Sequence, residues 1–188
     1  MLPRNSNSLM DDHIQIYESV LTNEVCKKLI FYFENNPDKQ EYIDNQGTPT
    51  FTQLNLTRNR GDIESIHNTL IQTVFEYRNK YYELFGKNLF PPFHAFEEFR
   101  IKRYNVGGKE RFDTHVDVND HPSARRFLSF FWYLNDVEEG GETVFKDLEI
   151  KPSEGKLVIF PPLWMYPHKG NPPVSGSKYI LSTYLHYK

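Results

Sequence analysis

Apolar positions recur along this chain with two different periods. Between Leu21 and Glu34, Val25, Leu29, Ile30 and Phe33 share one side at helical spacing. Thr22 or Asn23 is placed to cap that helix, and Asn35-Asn36-Pro37 to stop it. A second helix is predicted from about Ile63 to Phe85, opened by Gly61-Asp62 and ended by Gly86. Its stripe of Ile63, Ile66, Leu70, Ile71, Val74, Phe75 and Tyr81 reads as core packing. From Phe93 onward the period shortens. Strands are predicted over 96–104, 114–118, 126–134, 142–145, 148–150, 156–160 and 178–187, separated by turn-forming runs such as Asn105-Val106-Gly107-Gly108 and Pro152-Ser153-Glu154-Gly155. Such a series suggests a sandwich or jelly roll, with the two helices bracing one sheet from outside. His13 to Tyr17 alternates weakly as a first strand, and 42–60 is expected as a loop or hairpin near the mouth of a site. Without repeats or an obvious linker, residues 1–188 read as one domain, with helical support over 20–86 and a β core over 93–188.

Composition narrows the function classes. Aromatic residues make up 15% of the 188, which favours strands and a ring-lined pocket. The net charge of −3 comes without a long basic run, so no broad nucleic-acid-binding face is indicated. Cys26 is the single cysteine; it forms no internal disulfide and suits a reducing compartment. It reads as a small buried residue rather than a nucleophile. Met1 to Asp12 is polar, expected to fray, and has no apolar core like a signal peptide's. No apolar run approaches the ~20 residues of a membrane span. A soluble, cytoplasmic protein without nucleic-acid or membrane partners is the expectation.

The candidate chemistry centres on Arg111-Phe112-Asp113-Thr114-His115-Val116-Asp117. On a strand, His115 and Asp117 point the same way, with Val116 turned aside. One imidazole and one carboxylate on one face are two thirds of a 2-His-1-carboxylate facial triad, the open-sided site of non-haem Fe(II) oxygenases. The third donor must come from elsewhere in the fold. His13, His67 and His94 lie upstream, His121 follows in the adjacent turn, and His186 ends the last strand, near the barrel's edge. His168 lies between a strong strand (157–160) and the last strand, where a jelly roll brings a late segment beside the pair. Alone it would read as a polar loop residue; with the pair and Lys178 it reads as the third ligand. Lys178 opens an apolar strand. A lysine there can snorkel to solvent, or it can hold a cosubstrate carboxylate at the inner end of a pocket.

Over Phe96 to Tyr187 the chain resembles the 2-oxoglutarate- and Fe(II)-dependent dioxygenases, and among them the prolyl 4-hydroxylase-like branch. The resemblance rests on ordered blocks: Arg103-Tyr104-Asn105-Val106-Gly107-Gly108, His115-Val116-Asp117, Phe131-Trp132-Tyr133-Leu134-Asn135, Glu139-Gly140-Gly141-Glu142-Thr143 and Gly155-Lys156-Leu157-Val158-Ile159-Phe160, closed by His168 and Lys178. It implies a double-stranded β-helix (jelly roll) buttressed by the two N-terminal helices. His115, Asp117 and His168 match the iron ligands, and Lys178 the partner of the distal carboxylate of 2-oxoglutarate. Tyr133 matches a tyrosine assisting that carboxylate, Tyr104 a pocket tyrosine, and Thr143 a pocket-lining position that ordinary strand packing would also explain. Trp132 should face away from Tyr133, toward the outer packing or the helices. The implied cofactors are Fe(II), 2-oxoglutarate and O2, with ascorbate as an auxiliary reductant.

The resemblance implies hydroxylation of a C–H bond, by analogy a prolyl residue in a peptide or protein. Two other readings stand beside it: a hydroxylase of a free amino acid or other small metabolite, and a non-catalytic jelly-roll binding module. A nucleic-acid demethylase is disfavoured, because no basic, base-stacking face is evident.

Overall fold

A computed structural model of the chain describes residues 13–46, 48–92 and 94–188. The fraying expected for Met1 to Asp12 lies outside the described residues. The chain runs through β1 (Gln15–Tyr17), α1 (Asn23–Glu34), β2 (Gln40–Asp44), β3 (Thr50–Asn55) and α2 (Glu64–Phe85). Short strands follow: β4 (His94–Phe96), β5 (Arg100–Tyr104), β6 (Phe112–His115), β7 (Arg126–Tyr133), β8 (Thr143–Phe145), β9 (Glu149–Ile150), β10 (Leu157–Phe160), β11 (His168–Gly170) and β12 (Lys178–Tyr187).

The strands form the two sheets of a jelly roll, and neighbouring strands among the described residues run antiparallel. The larger sheet is ordered β1-β10-β7-β12-β5-β3-β2, with β4 also on β12; the smaller is β6-β11-β8-β9. β7 shows how the sequence builds two cores. Phe130 and Trp132 pack outward with Leu29 and Phe33 of α1 and Leu70, Val74 and Tyr81 of α2. Phe131 and Tyr133 pack inward with Phe145, Val158 and Phe160. A strand covered on both faces needs apolar side chains of both parities, which is why 130–134 reads as an unbroken apolar run. Trp132 thus faces the helices, as its alternation with Tyr133 predicts.

The helices begin and end where their cap residues place them. The Thr22 hydroxyl accepts from the Val25 amide, and Gly86, at φ 96°, closes α2 in a conformation that L side chains rarely adopt. Cys26 sits in α1, fully buried, and burial pushes its thiol up to about 12. Thiolate, not thiol, reacts with electrophiles. Native protein at pH 8 should therefore resist iodoacetamide and label only after denaturation; rapid native labelling would contradict this placement.

Several expectations are corrected. The strand predicted over 96–104 is two strands: at the break the Glu97 amide still donates to the Tyr184 carbonyl of β12, but the Phe99 amide turns to the Thr57 hydroxyl, a side-chain acceptor in place of a ladder partner. The stretch 42–60 takes the hairpin form of its two expected readings, at the mouth of the site, rather than the loop. It supplies β2 and β3, and β3 pairs with β5, extending the large sheet. His186 is not at the barrel's edge. It is 6% exposed, with Nε2 2.8 Å from Glu97 Oε2, because the chain after β4 folds that carboxylate back over β12. Among the described residues, no helix is long and apolar enough to cross a membrane.

Candidate metal and cosubstrate site

The site forms where the small sheet meets the inner face of the large one. β11 pairs with β6 so that His168 lies directly opposite His115. His168 is therefore a strand residue, not the loop residue its surroundings in sequence suggest. The strand predicted over 114–118 ends at His115. Asp117 reaches the site from the turn beyond, where the Arg126 guanidinium donates to its backbone carbonyl at 2.9 Å. Alternation along a continuing strand is thus not what brings His115 and Asp117 together.

One ligand atom from each of His115, Asp117 and His168 lies within 4.8 Å of the others. His115 Nε2 is 3.6 Å from Asp117 Oδ1, and His168 Nε2 is 3.9 Å from Asp117 Oδ2. These separations are too long for direct hydrogen bonds and leave space for a cation between the donors. Each imidazole is oriented from behind: His115 Nδ1 donates to the Asp113 carbonyl at 2.8 Å, and His168 Nδ1 to the Tyr166 carbonyl at 3.1 Å. Those bonds leave both Nε2 lone pairs aimed at the centre, as metal-ligating histidines require. Burial lowers the His168 pKa, with Asp117 only partly opposing, so the ring is neutral and able to ligate. Burial would raise Asp117, but the adjacent His115 and His168 side chains and the Lys102 charge outweigh it and hold the carboxyl down at about 2. Two imidazoles and one ionised carboxylate, all on one side, fit a divalent ion with open positions on the other.

Aromatic rings hold this geometry. Phe112 stacks on His115 at 3.4 Å between ring centroids, and Phe145 and Phe160 flank His168. Behind the triad a cavity runs inward past Phe131, Thr143 and Ile180 to Lys178. Lys178 is 2% exposed, and its ammonium donates to the Gly141 carbonyl at 3.0 Å and lies 4.6 Å from the centre of the Tyr104 ring. No carboxylate pairs with it among the described residues, and burial lowers it to about 8. Gly141 permits this placement: a Cβ there would meet the Lys178 side chain at 3.3 Å. Tyr104, opposite Lys178 across the β5–β12 ladder, lines the cavity, and burial pushes its phenol up. Thr143 lines it too. Tyr133 stands one layer behind, its single hydroxyl proton donated to Thr143 Oγ1 at 2.6 Å, with the Ile150 carbonyl 3.2 Å away as a second acceptor within reach.

The fold also brings in residues that motif reading misses. Lys102 sits on the face of β5 that carries Tyr104; Ser182 and Tyr184 continue the face of β12 that carries Lys178. Two-residue alternation from Tyr104 and from Lys178 would have found all three. Beside the triad, Arg126 grips both oxygens of Glu97 at 2.7 and 2.8 Å and lies over the Tyr184 ring at 4.2 Å.

Comparison with known proteins bears on this geometry. Residues 99–186 match the model of the 2OG-Fe(II) oxygenase superfamily. The Arabidopsis thaliana protein named Probable prolyl 4-hydroxylase 3 is 25% identical, over 91% of this chain and 68% of its own. Among solved structures, the viral collagen prolyl hydroxylase of Paramecium bursaria Chlorella virus-1, in complex with 2OG, superposes with a TM-score of 0.69 at 20% identity, covering 96% of this chain and 99% of that one. A Trichoplax adhaerens prolyl hydroxylase bound to a hypoxia inducible factor peptide gives 0.72 at 12% identity, covering 93% and 83%. At these identities the structures establish the fold. The chain spans less than half the length of several of the curated relatives it matches, 29%, 43% and 44% in three Arabidopsis thaliana proteins named as probable prolyl 4-hydroxylases.

Proposed function

With residues 99–186 belonging to the 2OG-Fe(II) oxygenase superfamily, we propose that this protein hydroxylates a C–H bond, in the first instance of a prolyl residue in a peptide or protein. The observation that carries the reading is the convergence of His115, Asp117 and His168 on one point, with a buried ammonium, Lys178, that meets no carboxylate among the described residues, deeper in the same cavity. His115 and His168 would hold Fe(II) through Nε2, and Asp117 through its carboxylate. Bound Fe(II), 2-oxoglutarate and O2 supply the oxidative decarboxylation that leaves succinate and CO2 and puts one oxygen atom on the substrate. Lys178 binds the distal carboxylate of 2-oxoglutarate, and the low dielectric around it strengthens that pair. Thr143 offers a hydroxyl to the same carboxylate, fixed from behind by Tyr133. Phe112, Phe131 and Phe160 keep water from the inner cavity, and Tyr104 closes the wall beside Lys178.

The peptide reading draws on relatives named prolyl 4-hydroxylases and on a neighbour bound to a peptide. A broad polar mouth outside the triad, lined by Phe51, Gln53, Glu97, Arg100, Arg126 and Tyr184, gives an extended chain somewhere to lie. The reading takes the chain as a single domain working in a reducing, cytoplasmic setting, with ascorbate as auxiliary reductant. Anaerobic addition of Fe(II) and then 2-oxoglutarate should produce the weak visible charge-transfer band of the chelate. Incubation in air with proline-containing peptides should add one oxygen by mass. Folded protein without the band would favour a binding module, and oxygen gained only by free amino acids would favour the metabolite reading.

A further inference from the structure

We propose that Lys102 determines specificity by holding a carboxylate of the substrate beside the C–H bond to be hydroxylated. This deepens the oxygenase reading and rests on it. Lys102 is in the middle of β5, where alternation separates two faces. Ile101 packs under the helices and Arg103 pairs with Glu34 of α1, whereas Lys102 and Tyr104 turn to the cavity. Lys102 lines both the inner cavity and the mouth outside it, as His115 and Asp117 do, so the residue stands at their junction beside the triad.

The other cations around the mouth have carboxylate partners. Arg58 pairs with Glu98, Arg100 with Glu97 and Glu98, and Arg126 with Glu97. Lys178 is taken by the distal carboxylate of 2-oxoglutarate under the proposed function. Lys102 has the face of Phe51 at 5.2 Å and, among the described residues, no hydrogen bond or ion pair to a carboxylate. The charges at the site then balance without it: a divalent ion and Lys178 offset Asp117 and the cosubstrate dianion. One positive charge is left over, where the substrate enters. Burial lowers Lys102 to about 8 against the opposing pull of Asp117, so its protonated form is costly until an anion arrives. A single carboxylate satisfies it. Two sources share that chemistry: the α-carboxylate of a free or C-terminal residue, and the side chain of an Asp or Glu next to the reacting residue.

Matched substrates separate the sources. One pair of peptides ends in proline as the free acid or as the amide; a second carries an internal proline followed by Glu or by Gln; free proline is the fifth. Oxygen incorporation gives kcat/KM, and calorimetry on protein loaded with Mn(II) and 2-oxoglutarate without O2 gives Kd. In at least one pair the acid should exceed its neutral partner by roughly ten- to a hundredfold, mostly in KM and Kd, the range of one charge-assisted hydrogen bond. Lys102→Met should bring that ratio toward one, and Lys102→Arg should retain most of it. Ratios near one in both pairs for the unmodified protein, or an unchanged ratio in Lys102→Met, overturn the role. The two readings fail differently. Selective binding of acids without any succinate formation removes the oxygenase reading and keeps Lys102; hydroxylation without acid preference does the reverse.

Discussion

Replacing either His115 or His168 with alanine should remove divalent metal binding and, with it, succinate formation. Outer-shell partners of metal ligands typically cost 10–100-fold when lost, so a direct ligand should cost more than that. The two variants should differ in stability. His115 stacks on Phe112 at the end of β6 and is partly exposed, so its truncation leaves little void. His168 is 8% exposed and packed between Phe145 and Phe160, so alanine there opens a cavity costing about 2–4 kcal/mol. For a chain of this length that lowers Tm by several degrees. Calorimetric Mn(II) titration beside thermal unfolding checks both points. Metal affinity retained in His115→Ala, in a folded protein, would remove it from the ligand set.

Lys178→Ala should act on the cosubstrate and spare the metal. Losing one partner of a buried charge pair costs about 2–5 kcal/mol, so the 2-oxoglutarate KM should rise by at least about 30-fold. Mn(II) affinity should be largely kept, because Lys178 touches the Gly141 carbonyl and the Tyr104 ring and none of the three donors. Equal loss of metal and cosubstrate would contradict the role. The same lysine should carry a stability penalty in the ligand-free protein. Burial holds Lys178 at about 8 folded, against the ordinary 10.5 of an unfolded chain. The unfolded state therefore binds more protons between about pH 8 and 10.5, and stability from this group rises with pH across that window and is penalised below it. Lys178→Met should accordingly raise the ligand-free Tm at pH 7, and 2-oxoglutarate should raise the Tm of the unmodified protein but not of the variant. Affinity for 2-oxoglutarate should weaken above about pH 8, where the free enzyme loses that proton.

The sequence by itself determined whatever depends on neighbours a few residues apart. Helical spacing marked α1 and α2 to within a residue or so, because an amphipathic helix writes its buried face at short range. Alternation placed Trp132 with the helices and Tyr133 with the inner core. The chemistry of His115, Asp117, His168 and Lys178 was legible as residue types in order. The tertiary structure alone decided how distant segments register. It put His168 on a strand opposite His115, ended the strand of His115 before Asp117, folded Glu97 back onto Arg126 and His186, and left Lys102 beside the triad with no carboxylate partner among the described residues. Strand pairing joins segments dozens of residues apart, and a shift of one position turns every side chain to the opposite face. No local pattern encodes that choice; it is made when the two cores pack.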